Sequence, residues 1–203
     1  MGSDDVYATA KPGLRARAAS LSAGRARRRR HELLFALTGV TAHSRIVDIG
    51  CGRVGLRGLE PDRDITGVDV GERPDYPGPF VRADATQGLP FADGEFDLAY
   101  CSSVIEHVPR ELRAAFAREL RRVARGWYVQ TPAYSFPVEP HALLPAAHWL
   151  PVALRRPYWR LGVAGDWEEI ALLRRAEMAA LFGDPVAERV GPLVKSWVSV
   201  RPV

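Results

Sequence analysis

The chain has 203 residues, 47% of them hydrophobic, enough for one domain with a full core. Its net charge is +4, and every basic residue except Lys11 and Lys195 is arginine, which reads as compositional bias and makes no case for nucleic-acid binding. Two cysteines, Cys51 and Cys101, exclude a disulfide framework and read as small buried thiols of a reducing compartment.

Residues 1–24 are polar, Ala/Arg-rich and aperiodic, and a flexible N-terminal arm is expected there, with the domain over 25–203. The opening Met-Gly-Ser-Asp-Asp lacks the basic start and apolar core of a secretory signal. No run of about 18 apolar residues marks a membrane span, so a cytoplasmic protein is expected. Arg25 to Arg30 include five arginines. That run suits either a solvated helix face or a contact for an anionic substrate or membrane headgroup. Leu33, Leu34 and Leu37 then fit a helix packed on a sheet, ended by Gly39.

Ile46 to Ile49 predict a first, buried strand, followed by a glycine turn and a short helix from about Gly55. Asp64 to Val70 predict a second strand. Pro74, Pro77 and Pro79 leave no room for a helix before a third strand at Phe80 to Ala83. Phe96 to Cys101 predict a fourth. Pro109 opens a helix that runs to Ala124 with Leu112, Phe116, Leu120 and Val123 as its apolar stripe. Arg121, Arg122 and Arg125 suit the dipole at its C-terminal end, and Gly126 is the expected cap. Trp127 to Gln130 predict a fifth strand.

Thr131 to Gly165 are rich in proline, tyrosine and tryptophan. A connection that long ordinarily has a function, and 131–165 are read as an inserted cap. Asp166 is expected to cap the next helix with Glu169, to put Trp167, Ile170 and Leu173 inward, and to run to Gly183. Val186 to Val190 and Val194 to Val200, joined by Gly191-Pro192, predict a closing hairpin.

Asp48 precedes Gly50, Gly52 and Gly55 in V-D-I-G-C-G-R-V-G. Such a turn lets backbone approach a ligand because no Cβ intervenes, but alone it is a weak signal. Dinucleotide-binding proteins use it to hold a pyrophosphate. A carboxylate just before the first glycine would repel a pyrophosphate and suits a cationic ligand bearing hydroxyls and an amino group, such as S-adenosylmethionine (SAM).

Three further stretches follow in order: G-V-D-V at Gly67 to Val70, A-D-A at Ala83 to Ala85, and L-P-F-A-D-G-E-F-D-L-A-Y-C-S-S-V-I-E-H-V at Leu89 to Val108. With V-D-I-G-C-G they resemble the motif series of the class I SAM-dependent methyltransferases, in the subgroup called methyltransferase type 11. The resemblance is specific from about Arg45 to Val108, weaker beyond, and leaves out the N-terminal arm. It implies an α/β, Rossmann-like, seven-stranded, mostly parallel sheet with one antiparallel strand and helices on both faces. It also implies that the backbone of Gly50, Cys51 and Gly52 holds the methionine part of SAM. Asp69, with Val70, would take the ribose hydroxyls; Asp84 would take the adenine amino group, with Ala85 beside the ring. Ser102 and Ser103 would flank the reacting methyl group, and Glu106 and His107 would close over the sulfonium. Arg53 and Val54 depart from the family pattern, which makes Arg53 itself a candidate contact to the cofactor carboxylate.

Thr131 to His148 leave strand five at the sheet edge where open α/β sheets bind ligands. His141 is therefore the first candidate for a general base, with Glu139 as orienter or alternate and His107 as competitor. Each histidine also has a plain reading, a ring that satisfies loop backbone. Glu139, His141 and His148 match no strong zinc spacing, and no metal is expected. His148 to Leu161 mix apolar, aromatic and arginine residues, as a lid would, or as a surface for a lipid-linked or anionic acceptor at a membrane would. The resulting expectation is methyl transfer from SAM to a small-molecule, glycan or lipid-linked acceptor by in-line displacement. Alternatives are a non-catalytic SAM-binding module and, last, an RNA methyltransferase, since the fourth strand ends Tyr100-Cys101-Ser102-Ser103 rather than in N-P-P-Y or D-P-P-Y. Nothing in the sequence indicates an oligomeric state.

Overall fold

The structure is a computed structural model and describes residues 31–164, 167 and 169–203. The expectations for the 1–24 arm, the Arg25–Arg30 run and an Asp166 cap lie outside the described residues.

A seven-stranded sheet forms the centre of the molecule. Its strands are β1 (Ile46–Ile49), β2 (Ile65–Asp69), β3 (Phe80–Arg82), β4 (Phe96–Ser102), β5 (Ala124–Pro132), β8 (Val186–Val190) and β9 (Leu193–Arg201), in the order β3-β2-β1-β4-β5-β9-β8. The first five run parallel, and β9 is antiparallel to both its neighbours. This is the predicted fold, with one antiparallel strand. The predicted strand positions hold to within a few residues at each end.

Side chains alternate across the sheet as the pleat requires. Val47, Ile49, Ala99, Cys101, Trp127 and Val129 face one core, where α2 (Arg113–Val123) and α4 (Arg175–Phe182) supply Phe116, Leu120, Val123, Met178 and Phe182. Ile46, Leu98 and Tyr128 face the other core, against Leu34 and Leu56. Leu34 lies on α1, which covers 31–38 and is followed by Gly39 at φ 73, the left-handed residue expected at a helix end. Between β2 and β3 there is no helix. Instead the buried Tyr76 lies so close over β2 that a Cβ on Gly67 would stand 2.5 Å from its ring. One aromatic ring thus fills the layer that the prolines deny to a helix.

Three local expectations fail for stated reasons. Pro109 opens a 3-10 turn, Arg110–Leu112, and the α-helix proper starts at Arg113. Gly126 does not cap that helix. Ala124 already has extended φ −135, and the chain passes from helix to β5 with no loop. Gly126 serves close approach: a Cβ there would stand 2.6 Å from the Arg201 carbonyl oxygen. The last helix begins at Arg175, not near residue 166. Leu173 is instead bridged in parallel to Ala133, and the Ala171 N–H donates to the Glu106 carbonyl at 3.0 Å. These backbone groups are taken by the sheet edge, so the helix cannot start until they end. Glu177 closes its first turn by accepting from the Arg174 N–H at 3.4 Å.

Beyond β5 the chain forms a small hairpin of β6 (Val138–Glu139) and β7 (Leu144–Pro145), then a 3-10 turn and α3 (Val152–Trp159). Thr131 and Pro132 belong to β5, so this segment leaves the sheet at residue 133. It buries a separate cluster: Ala142, Leu144, Ala147, Trp159, Ile170 and Leu172.

Candidate active site

The strand order reverses between β1 and β4, because the chain goes outward through β2 and β3 before returning. Loops leaving the carboxyl ends of strands at such a point diverge and leave a crevice. Here they are 50–55 after β1 and 102–107 after β4. Ile49 and Cys101 are register partners, so the two loops begin side by side.

The first loop owes its path to glycine. Gly50, Gly52 and Gly55 have φ 73, 58 and 55. A Cβ on Gly50 would stand 2.3 Å from a methyl of Val104, which belongs to the second loop. A Cβ on Gly55 would stand 2.2 Å from the Asp48 carboxylate. That carboxylate is buried and accepts the Leu56 N–H at 2.6 Å, so Asp48 braces the loop from below. Cys51 is buried beside it, and burial, with Asp48 and Asp69 nearby, pushes its thiol well up, which makes it inert.

Asp69 ends β2 and is buried. Its Oδ2 accepts the Gly52 N–H at 3.0 Å; its Oδ1 accepts the Gly71 N–H at 3.0 Å and an Arg73 guanidinium N–H at 3.2 Å. The acid thus ties the glycine loop to the end of β2, and Arg73 already engages the edge expected to meet a ribose. Val70 is exposed at the same end. Asp84 is exposed just past β3 and accepts from the Thr86 backbone and hydroxyl, both at 2.8 Å, while Ala85 is buried in the core. Arg53 is exposed and within 3.7 Å of Asp75.

The second loop is tied to β5. Ser102 and Ser103 both donate to the Gln130 side-chain oxygen, at 2.9 and 3.2 Å, and Ser103 has φ 58. Gln130 is buried, a polar residue inside a core strand, and that position was its only sequence signal.

The acceptor-side candidates come together. Glu106 is 1% exposed, and its Oε2 accepts the Thr131 hydroxyl at 2.9 Å. His141 Nδ1 lies 2.7 Å from Glu139 Oε1, and its Nε2 lies 4.0 Å from Glu106 Oε1. His107 meets the His141 ring edge-on, with centroids 5.0 Å apart at 87°. Burial alone would raise the Glu139 carboxyl, but the His141 hydrogen bond and charge and the Ala142 N–H outweigh it and hold it below its usual value. Glu139 is therefore an anion near neutral pH and can only accept, so Nδ1 of His141 carries a proton in their hydrogen bond. His148 does not join the group: its Nε2 lies 2.9 Å from the Tyr134 carbonyl, and burial lowers its pKa.

Comparisons with known proteins bear on the fold. Residues 47–126 match the family described as methyltransferase domain. An uncharacterized methyltransferase of Mycobacterium marinum is 40% identical over 72 residues, which cover 36% of this chain and 27% of that protein. Among solved structures, magnesium protoporphyrin IX methyltransferase from Synechocystis PCC 6803 aligns with a TM-score of 0.60 at 13% identity, over 98% of this chain and 92% of its own. The 1,6-didemethyltoxoflavin-N1-methyltransferase of Burkholderia thailandensis aligns with a TM-score of 0.53 at 15% identity, over 83% of this chain and 74% of its own. The sheet and its crevice are those of a methyltransferase fold. Residues 47–126 thus match a methyltransferase domain, and the chain spans 27% of the length of its Mycobacterium marinum relative.

Proposed function

We propose that the protein transfers a methyl group from SAM to an oxygen or nitrogen of a small-molecule acceptor. One observation carries this reading: the glycine loop of β1 and the Ser102–His107 loop of β4 meet at the switch point, with the Glu139–His141 pair beside them. The cofactor residues fit. The positive-φ turn at Gly50 and Gly52, the Asp69 carboxylate, and Ser102 and Ser103 all lie at the carboxyl edge, with Cys51, Val70, Asp84 and Ala85 beside them. SAM supplies an electrophilic methyl on a sulfonium, and the four buried acids Asp48, Asp69, Glu106 and Glu139 give that edge the charge a cation prefers.

The chain's own work is then alignment and proton removal. Glu139 fixes the His141 ring through Nδ1. Nε2 faces Glu106 and takes the acceptor's proton as its oxygen or nitrogen attacks. His107 packs on the same ring and holds it edge-on. The porphyrin and toxoflavin enzymes of this fold act on small molecules, which supports the acceptor class; no feature here favours a glycan, a lipid-linked acceptor, a nucleic acid or a membrane contact over it. Among the described residues, no helix is long and apolar enough to cross a membrane. SAM is an intracellular cofactor, and we place the reaction in the cytoplasm.

Calorimetry with SAM and S-adenosylhomocysteine tests the cofactor, and Asp69→Ala should weaken binding by about 1–3 kcal/mol. Binding of NAD without response to SAM overturns the reading. His141→Ala should leave SAM binding intact and lower turnover of acceptor by about 10²–10⁴-fold. Tight SAM binding with no methyl transfer to any acceptor in a cell extract would favour a non-catalytic module.

A further inference from the structure

We propose that Glu106, His107 and His141 form a binding site for a zinc-class divalent cation on the acceptor side of the cleft. One ligand atom from each of these residues lies within 4.8 Å of the other two, and Glu106 and His141 are buried. Two histidines and a carboxylate are a common zinc ligand set that leaves a fourth position open. Tetrahedral zinc with bonds of about 2.0–2.2 Å holds its ligands roughly 3.4 Å apart, so these side chains need move by less than about 1 Å to close on an ion.

Two features go beyond mere clustering. Glu106 Oε1 is fully buried with no hydrogen-bond partner, and it points at the His141 Nε2 4.0 Å away. Glu106 Oε1 is a buried acceptor with no donor, and a cation beside it satisfies it. The remaining atoms of these ligands are already held from behind. Thr131 holds Glu106 Oε2, Ala171 N–H holds the Glu106 carbonyl, and Glu139 holds His141 Nδ1 while Ala142 N–H holds Glu139. A carboxylate on the far nitrogen of a ligating histidine is the support that fixes its ring and raises its basicity. The sequence hides this set, because Glu106 and His107 belong to the loop after β4 and His141 lies between β6 and β7.

Binding of the ion does not depend on the methyl-transfer reading; its role does. The ion and a proton compete for the same Nε2, so a loaded site replaces His141 as the group that prepares the acceptor. A hydroxyl of the acceptor at the open position would be acidified by the cation and would give its proton to solvent water.

The test uses the full chain stripped with a chelator and titrated with Zn²⁺ against a chromophoric competitor, with Co²⁺ as a spectroscopic substitute. One equivalent should bind, and Co²⁺ should give the intense visible bands of a four-coordinate site. Glu106→Gln, His107→Ala and His141→Ala should each weaken Zn²⁺ by at least about 30-fold, and Glu139→Gln by about 10- to 100-fold. His148→Gln should leave it unchanged. Urea midpoints report that each variant is folded, and S-adenosylhomocysteine binding by the wild-type chain tests the cofactor reading separately. Failure of the wild-type chain to take up one equivalent, or uptake insensitive to all three ligand substitutions, overturns the metal site. Metal uptake without S-adenosylhomocysteine binding overturns the methyl-transfer reading and leaves the metal site standing.

Discussion

Asp69 Oδ1 already accepts two hydrogen bonds, from the Gly71 N–H and from Arg73. A carboxylate oxygen has about two lone-pair sites, so a ribose hydroxyl must displace the guanidinium or share it. The competing hydrogen bond lies in a largely buried pair, Arg73 11% and Asp69 1% exposed, and is worth roughly 0.5–1 kcal/mol net. Arg73→Ala should therefore tighten S-adenosylhomocysteine binding by about 2- to 5-fold, read by calorimetry; weaker binding would mean that Arg73 assists the ligand. Gly50 is the opposite case, a residue whose value is what it lacks. At φ 73, with Val104 2.3 Å from a would-be Cβ, Gly50→Ala should cost about 1–3 kcal/mol in a chemical melt and weaken cofactor binding as well. An unchanged midpoint would show that the two loops part freely.

Helix α2 is tied to the rest of the chain by one buried arginine. Arg113 is 2% exposed and donates to the Val108 carbonyl at 3.1 Å, the Ala171 carbonyl at 2.5 Å and Glu177 at 2.7 Å. It thereby joins α2, the loop after β4 and the start of α4. Glu177 is itself partly exposed, so its own loss of a partner is softened by water. Arg113→Ala should cost about 2–4 kcal/mol, chiefly through the unpaired carbonyls and lost packing. Arg113→Lys should recover little, since an ammonium cannot span three directions as a planar fork does. Denaturant midpoints of both variants check this.

For the whole molecule the prediction concerns acid. Burial keeps the His148 pKa below the ordinary 6.5, so the unfolded chain takes up that proton first. The resulting stability is complete above pH 6.5 and falls as pH drops below it. Glu139 is held below the ordinary 4.5, so its contribution is present above that value and is lost as pH falls through its lower folded value. Stability should decline in two steps, and His148→Gln should abolish the first while leaving the second. Urea midpoints across pH test this; a flat profile down to pH 4.5 in the parent protein would refute the first step.

How much of this was readable in advance depends on the range of the interaction. The parallel strands were legible because Ile46 to Ile49 and Phe96 to Cys101 are apolar runs bounded by glycine, proline or charge. The glycine loop was legible because Asp48, Gly50, Gly52 and Gly55 act on one another within a single turn. The individual roles of Glu139 and His141 were expected from their place after strand five, and the structure brings them within 2.7 Å. Their meeting with Glu106, the tie from Gln130 to Ser102 and Ser103, and the burial of Arg113 were not legible. An arginine at a helical position looks solvated until another segment folds over it, as 171–177 do here. The start of α4 was misplaced for the same reason: Ala171 and Leu173 spend their backbone groups on Glu106 and the end of β5. Sequence by itself determined the strands and the cofactor turn, because backbone preference and local spacing act between near neighbours. Only the tertiary structure decided which buried polar atoms face each other, because that depends on where the crossing of β4, β5 and the segment after β5 brings distant residues together.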